Sequence, residues 1–78
     1  MKTITIEIPD DLASQLEKLA MLCSNADQAR NGATTHGPLT VPDLLAMLAE
    51  DAGMILTRPG SWEGSNMETV FTSHGYEL

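Results

Sequence analysis

The N-terminal residues alternate between polar and apolar side chains, and this pattern constrains the fold more than any other in the chain. Residues 3–8 read Thr-Ile-Thr-Ile-Glu-Ile and are followed by Pro9. β-Branched residues at a period of two are typical of a half-buried strand, and the proline ends it. A single strand is not stable without a hydrogen-bonding neighbour. Either the same strand of a second copy or a second strand at residues 54–57 must therefore pair with it.

Apolar residues at helical spacing follow the strand. Leu12, Leu16 and Leu19 begin a stripe that predicts an amphipathic helix. Asp10 is expected to be the N-cap of this helix, and Asn31-Gly32 is a natural C-terminal signal. A second apolar stripe follows Thr40 and predicts a second helix.

A third, shorter helix is predicted near the end of the chain. Ser65 and Glu68 have the spacing of a capping box, Met67, Val70 and Phe71 share one predicted face, and Gly75 is the expected C-cap. The predicted fold class is therefore α+β and mostly helical, in one small domain over residues 1–78. The predicted elements are a strand at 3–8, helices at about 10–30, 41–55 and 66–74, and loops at 32–39 and 57–64.

The chain is short for an independently folded domain. It has 78 residues, of which only three are aromatic. A domain of this size buries roughly 60% of the surface of its unfolded chain, and its core must be built from aliphatic residues and methionine. We therefore expect a dimer interface or a protein partner to complete the core.

The start of the chain resembles that of ribbon-helix-helix proteins, through the run Thr3-Ile-Thr-Ile-Glu-Ile-Pro-Asp-Asp-Leu-Ala. In that family the strands of two chains pair into an antiparallel ribbon that enters the major groove of DNA. The resemblance implies a homodimer through residues 3–8 and a role as a transcriptional repressor or antitoxin. It also implies that the outward side chains Thr3, Thr5 and Glu7 read the bases.

Acidic residues dominate the charge of the chain. Eleven Asp and Glu oppose four Lys and Arg, for a formal net charge of −7. Because non-specific affinity for nucleic acid comes mainly from cations that neutralise phosphates, this composition disfavours direct DNA binding. Glu7 on the outward face of the strand and Asp43 at the start of the second helix also disfavour DNA binding, because both carry a negative charge. An acidic surface suits a basic partner instead.

No pattern of catalytic or ligand-binding residues stands out. Cys23, His36 and His74 are far apart and lack the paired spacing of metal ligands,. The chain has no nucleophile elbow and no glycine-rich phosphate loop. We therefore expect no enzymatic activity, no cofactor and no metal. Since no apolar run approaches the ~20 residues of a membrane span, we expect a cytoplasmic protein without a membrane partner.

The sequence therefore predicts a small acidic inhibitor or regulatory protein that acts by protein–protein contact. It would block a basic, nucleic-acid-binding surface of a larger complex. In size and charge the chain is similar to small acidic proteins of phages and mobile elements, including inhibitors of CRISPR–Cas. The alternative is a ribbon-helix-helix repressor or antitoxin. Trp62 is either a lid over the small core or a contact residue. The residues predicted to bind the partner are Glu7, Asp43, Glu50, Asp51, Arg58, Trp62 and Glu63.

Overall fold

The computed structural model describes all 78 residues and contains three α-helices and no β-strand. Helix α1 spans Asp10–Ala29, helix α2 spans Val41–Thr57 and helix α3 spans Trp62–Ser73. The chain divides into two compact units, Met1–Pro42 and Asp43–Leu78. The prediction of an α+β fold was therefore wrong. None of the three helices is both long enough and apolar enough to cross a membrane.

The N-terminal segment accounts for this correction. Residues 1–9 have no regular secondary structure, and Ile4 and Ile6 are 83% and 64% exposed. An alternating pattern assigns side chains to two faces, but a strand also needs a neighbour that pairs with its N–H and C=O groups. Residues 54–57, the predicted neighbour within the chain, form the last turn of α2. The chain therefore supplies no second strand that could pair with residues 3–8.

The family resemblance depends on the same segment. Because residues 3–8 form no strand, the resemblance to ribbon-helix-helix proteins is not supported. The homodimer predicted through these residues has no strands to pair. The structure contains no ribbon that could present Thr3, Thr5 and Glu7 to the bases of DNA.

Helix α1 begins at the residue where the pattern placed it, but with a different cap. The N-cap is Pro9, which offers no side-chain hydrogen bond, and its carbonyl accepts the N–H of Ala13 at 3.0 Å. Asp10, predicted as the cap, is the first helical residue instead. Asp10 and Asp11 lie in the first turn, where carboxylates interact favourably with the positive end of the helix dipole.

The C-terminus of α1 is a Schellman motif. Asn31 and Gly32 have φ angles of 53° and 77°, in the left-handed region. The N–H of Asn31 donates to the carbonyl of Gln28 at 3.0 Å, and that of Gly32 donates to the carbonyl of Asp27 at 2.9 Å. These two bonds define the motif. The prediction that Asn31-Gly32 ends the first helix is confirmed.

Two polar side chains of α1 hold the loop that follows it. Ser24 Oγ accepts the N–H of Leu39 at 2.9 Å and donates to the carbonyl of the same residue at 3.2 Å. The carboxylate of Asp27, only 7% exposed, accepts the hydroxyl of Thr34. Thr34 Oγ1 accepts the N–H of Gly37 in turn at 3.1 Å. The loop is therefore fixed to α1 through two side chains that are neighbours on the helix surface.

A tight corner joins α2 to α3. The carbonyl of Met54 accepts the N–H of Arg58 at 2.9 Å. The carbonyl of Arg58 accepts the N–H of Ser61 at 2.9 Å and its hydroxyl at 2.7 Å. Ser61 Oγ also accepts the N–H of Gly64 at 3.0 Å, so Ser61 is the N-cap of α3. A helix N-cap of this kind satisfies one of the otherwise unpaired N–H groups of the first turn.

The start of α3 corrects the prediction from the capping-box pattern. The helix begins at Trp62 rather than near residue 66, and Ser65 lies inside its first turn. The end of α3 agrees with the prediction: Gly75 has a φ angle of 90°, and Tyr76 N–H donates to the carbonyl of Phe71 at 3.1 Å. The rings of Phe71 and Tyr76 lie with centroids 6.5 Å apart, which is the apolar contact that often accompanies such a terminus.

Candidate protein-binding surface

Six of the seven residues predicted to bind a partner lie in the second compact unit, Asp43–Leu78, which we call the acidic unit. It contains six acidic residues against one cation, Arg58, and so carries five of the seven net negative charges. The first unit has five acidic residues and three cations. Glu7 is exposed but belongs to the N-terminal segment of that first unit. Glu7 and the other six residues therefore belong to different compact units.

Helix α2 presents two carboxylates on one exposed side. Asp43 and Glu50 are both exposed and are seven residues apart, which is two helical turns or about 10 Å along the axis. Leu44, next to Asp43 in the sequence, points inward and is 1% exposed. Asp51 is half-buried at the border of the exposed side. The helical period thus places Asp43 and Glu50 together and Asp51 apart from them.

Trp62 is the first residue of α3 and is 77% exposed. Its backbone is held at both ends of the first turn, since Ser61 caps the helix and Asn66 Nδ2 donates to the carbonyl of Trp62 at 2.7 Å. The indole projects into solvent and does not cover the core, so the interpretation of Trp62 as a lid was wrong. Val70, about two turns further along the helix, is 46% exposed. The exposed side of α3 therefore carries apolar surface.

The inward side of α3 matches the predicted face at two of its three residues. Gly64 is buried, and Met67 and Phe71 are half-buried, which agrees with the predicted face except that Val70 is exposed. Because Gly64 lies about half a turn from Trp62 on the helical circle, the packing of Gly64 directs the indole outward. Glu63 is half-buried in the first turn, where its charge complements the helix dipole.

Arg58, the remaining member of the predicted set, is exposed and directly follows α2. Its backbone forms part of the corner between α2 and α3, since its N–H and its carbonyl both form hydrogen bonds there. No group of three His, Cys, Asp or Glu side chains converges as a metal site would require. Cys23 is half-buried and forms no disulfide, and His36 Nδ1 lies 2.8 Å from the hydroxyl of Thr35.

Sequence reasoning missed three residues that position these surfaces. Gly64 was treated as a turn residue, although a Cβ there would lie 2.7 Å from the carbonyl oxygen of Arg58. Ser24 and Asp27 were not recognised as loop anchors. Asp27 does carry a signal, because it follows Ala20 by seven residues and so falls on the buried side of α1. A carboxylate in that position needs a hydrogen-bonding partner, which Thr34 supplies.

No model of a protein family, no curated protein and no solved structure matches the chain. The functional interpretation therefore depends on the residues of the acidic unit themselves. They form a two-helix scaffold with carboxylates on the exposed side of α2 and an exposed tryptophan at the start of α3.

Proposed function

We propose that the acidic unit binds a basic, nucleic-acid-binding surface of a larger protein complex and blocks it. The observation that carries the proposal is the concentration of charge, since six acidic residues and a single cation share the 36 residues from Asp43 to Leu78. Four of the predicted contact residues on this unit are exposed: Asp43, Glu50, Arg58 and Trp62.

Electrostatics favours this kind of partner. A protein surface that binds nucleic acid is rich in Lys and Arg, because these residues neutralise phosphates. Carboxylates held on a helix are attracted to such a surface and accelerate the encounter with it. The same carboxylates repel the phosphates of DNA or RNA. A protein that occupies the cations of its partner in this way competes directly with the nucleic acid.

Trp62 supplies the apolar part of the proposed contact. Tryptophan is among the residues most enriched at the energetically dominant positions of protein interfaces. Its indole is 77% exposed although its backbone is fixed by the cap of α3. A residue whose backbone is already fixed loses less conformational entropy on binding than one on a mobile loop. Burial of the indole would add apolar free energy to the attraction between the charges.

The test is a displacement assay on the partner that the tagged protein retains from its native host. Labelled nucleic acid is bound to that partner, and its release by the purified protein is followed by fluorescence anisotropy. The double variant Asp43→Asn, Glu50→Gln should need about tenfold more protein for the same displacement. Trp62→Ala should also weaken displacement, with a faster dissociation rate.

Glu17→Gln serves as the matched control, because Glu17 is an exposed acid on α1 in the first unit. It should displace nucleic acid like the unmodified protein, and circular dichroism should show that all variants are folded. The proposal is contradicted if the retained partner keeps its nucleic acid, or if Glu17→Gln weakens displacement as much as the double variant does.

A further inference from the structure

The apolar residues of helix α1 form one wide arc around the helix, and the chain covers only a part of it. The covered part contains the buried Ala20 and the half-buried Leu16 and Cys23. The adjoining part, which we call the second stripe, contains Leu12, Leu19 and Leu22, which are 38%, 45% and 65% exposed. A helix on the surface of a globular protein normally turns its apolar residues toward its own core. The second stripe is therefore unexplained by the packing of the first unit.

The second stripe has the spacing of a coiled-coil contact. Together with three smaller or polar residues, its leucines form a set that we call the exposed seam: Leu12, Gln15, Leu19, Leu22, Ala26 and Ala29. These residues follow one another at alternating intervals of three and four over almost the whole helix, and all six are exposed. Apolar residues at this spacing form the line along which two helices pack side by side, and a polar residue within it helps to set the register.

We propose that the exposed seam packs in antiparallel orientation against the exposed seam of a second copy of this chain. In this orientation each of the large residues at one end of the seam faces a small residue, and two leucines meet at its centre. Leu12 would face Ala29 of the second copy, Gln15 would face Ala26, and Leu19 would face Leu22. In a parallel pair each residue would face its own copy, so that alanine meets alanine at one end and leucine meets leucine at the other.

The charges at the two ends of α1 favour the same orientation. Asp10 and Asp11 lie in its first turn, no basic residue lies in its last turn, and Arg30 follows as the C-cap. An antiparallel pair brings the two carboxylates of one copy to the end that carries Arg30 of the other. It also opposes the two helix dipoles. A parallel pair would instead place four carboxylates together.

Sedimentation equilibrium over a range of protein concentrations measures the association. We expect a monomer–dimer equilibrium whose Kd rises at least about tenfold in Leu22→Glu, because this change places a charge in the central layer of the seam. Met21→Glu is the matched control, since Met21 is 64% exposed but lies on a different side of the same helix. It should leave the Kd within about twofold.

Cysteine cross-linking tests the orientation in a Cys23→Ser background. A mixture of the Leu12→Cys and Ala29→Cys proteins should form a disulfide-linked heterodimer on mild oxidation. Neither protein should do so alone, because two copies of residue 12 would lie about 25 Å apart in the antiparallel pair. A protein that stays monomeric at all concentrations, a dimer that survives Leu22→Glu, or efficient cross-linking of Leu12→Cys alone would each overturn the proposal.

Discussion

Gly64 is the residue on which the corner of the acidic unit depends most directly. A Cβ at this position would lie 2.7 Å from the carbonyl oxygen of Arg58 and 2.8 Å from that of Met54. Both oxygens belong to the backbone and also accept hydrogen bonds within the corner, so neither can move without cost. At Gly53, in the interior of α2, an added Cβ would meet no atom within 4 Å, which makes the two glycines a matched pair.

Gly64→Ala should therefore destabilise the protein by about 1–3 kcal/mol, the cost of forcing an extra carbon into a packed site. Gly53→Ala should instead stabilise it by up to about 1 kcal/mol, because alanine has the higher helix propensity and finds open space. The free energy of unfolding from urea titration of the helical circular-dichroism signal measures both changes. Equal effects of the two substitutions would show that the corner is looser than the structure indicates.

Ser61 and Ser65 offer a second comparison at the scale of single residues. Ser61→Ala should cost about 1 kcal/mol of stability, since it removes the side chain that caps α3,. Ser65→Ala should cost less, because the Ser65 hydroxyl makes only an exposed 3.3 Å contact with the carbonyl of Pro59. Urea titration of the two variants measures the loss in the free energy of unfolding for each. A larger loss for Ser65→Ala would favour the capping box over the cap found in the structure.

At the scale of the elements, the loop after α1 is held by two separate side chains. Ser24 accepts the N–H of Leu39, and Thr34, bonded to Asp27, accepts the N–H of Gly37. Both acceptors are half-buried, and a loop with such anchors opens less often than one bonded only to water. Each amide thus reports on a different anchor.

Hydrogen exchange followed by NMR should separate the two anchors. Ser24→Ala should accelerate exchange at the amide of Leu39 by about tenfold, which corresponds to a loss of about 1.4 kcal/mol, and leave that of Gly37 nearly unchanged. Thr34→Val keeps the shape of the side chain but removes the hydroxyl acceptor. It should accelerate exchange at the amide of Gly37 and leave that of Leu39 nearly unchanged. If either variant accelerates both amides equally, the loop opens as one unit and the anchors are not independent.

At the scale of the whole molecule, the net charge of −7 bears on what the protein binds directly. The purified protein should not retard duplex DNA in a gel at about 0.15 M salt, because its few cations cannot replace the counterions of the phosphates. A DNA-binding protein with a basic surface, run in parallel, provides the positive control. Sequence-specific retardation that is lost in Thr5→Ala or Glu7→Ala would contradict this expectation.

The structural predictions that the residues supported by themselves are those with a local physical cause. The extents of α1 and α2 follow from apolar spacing, and their agreement with the structure is close. Asn31-Gly32 and Gly75 end helices because they adopt left-handed backbone angles that few other residues tolerate,. The net charge likewise depends only on the amino-acid composition. These properties require only a few neighbouring residues, so the amino-acid sequence determined them.

Tertiary structure decided the features that depend on partners distant in sequence. Residues 3–8 had the pattern of a strand, but a strand exists only where a second one pairs with it, and the chain supplies none. The exposure of Trp62 follows from the packing of Gly64 at the corner, and the role of Asp27 follows from its contact with Thr34. Hydrogen-bond partners and close packing are brought together by the folded chain, and no local pattern specifies them.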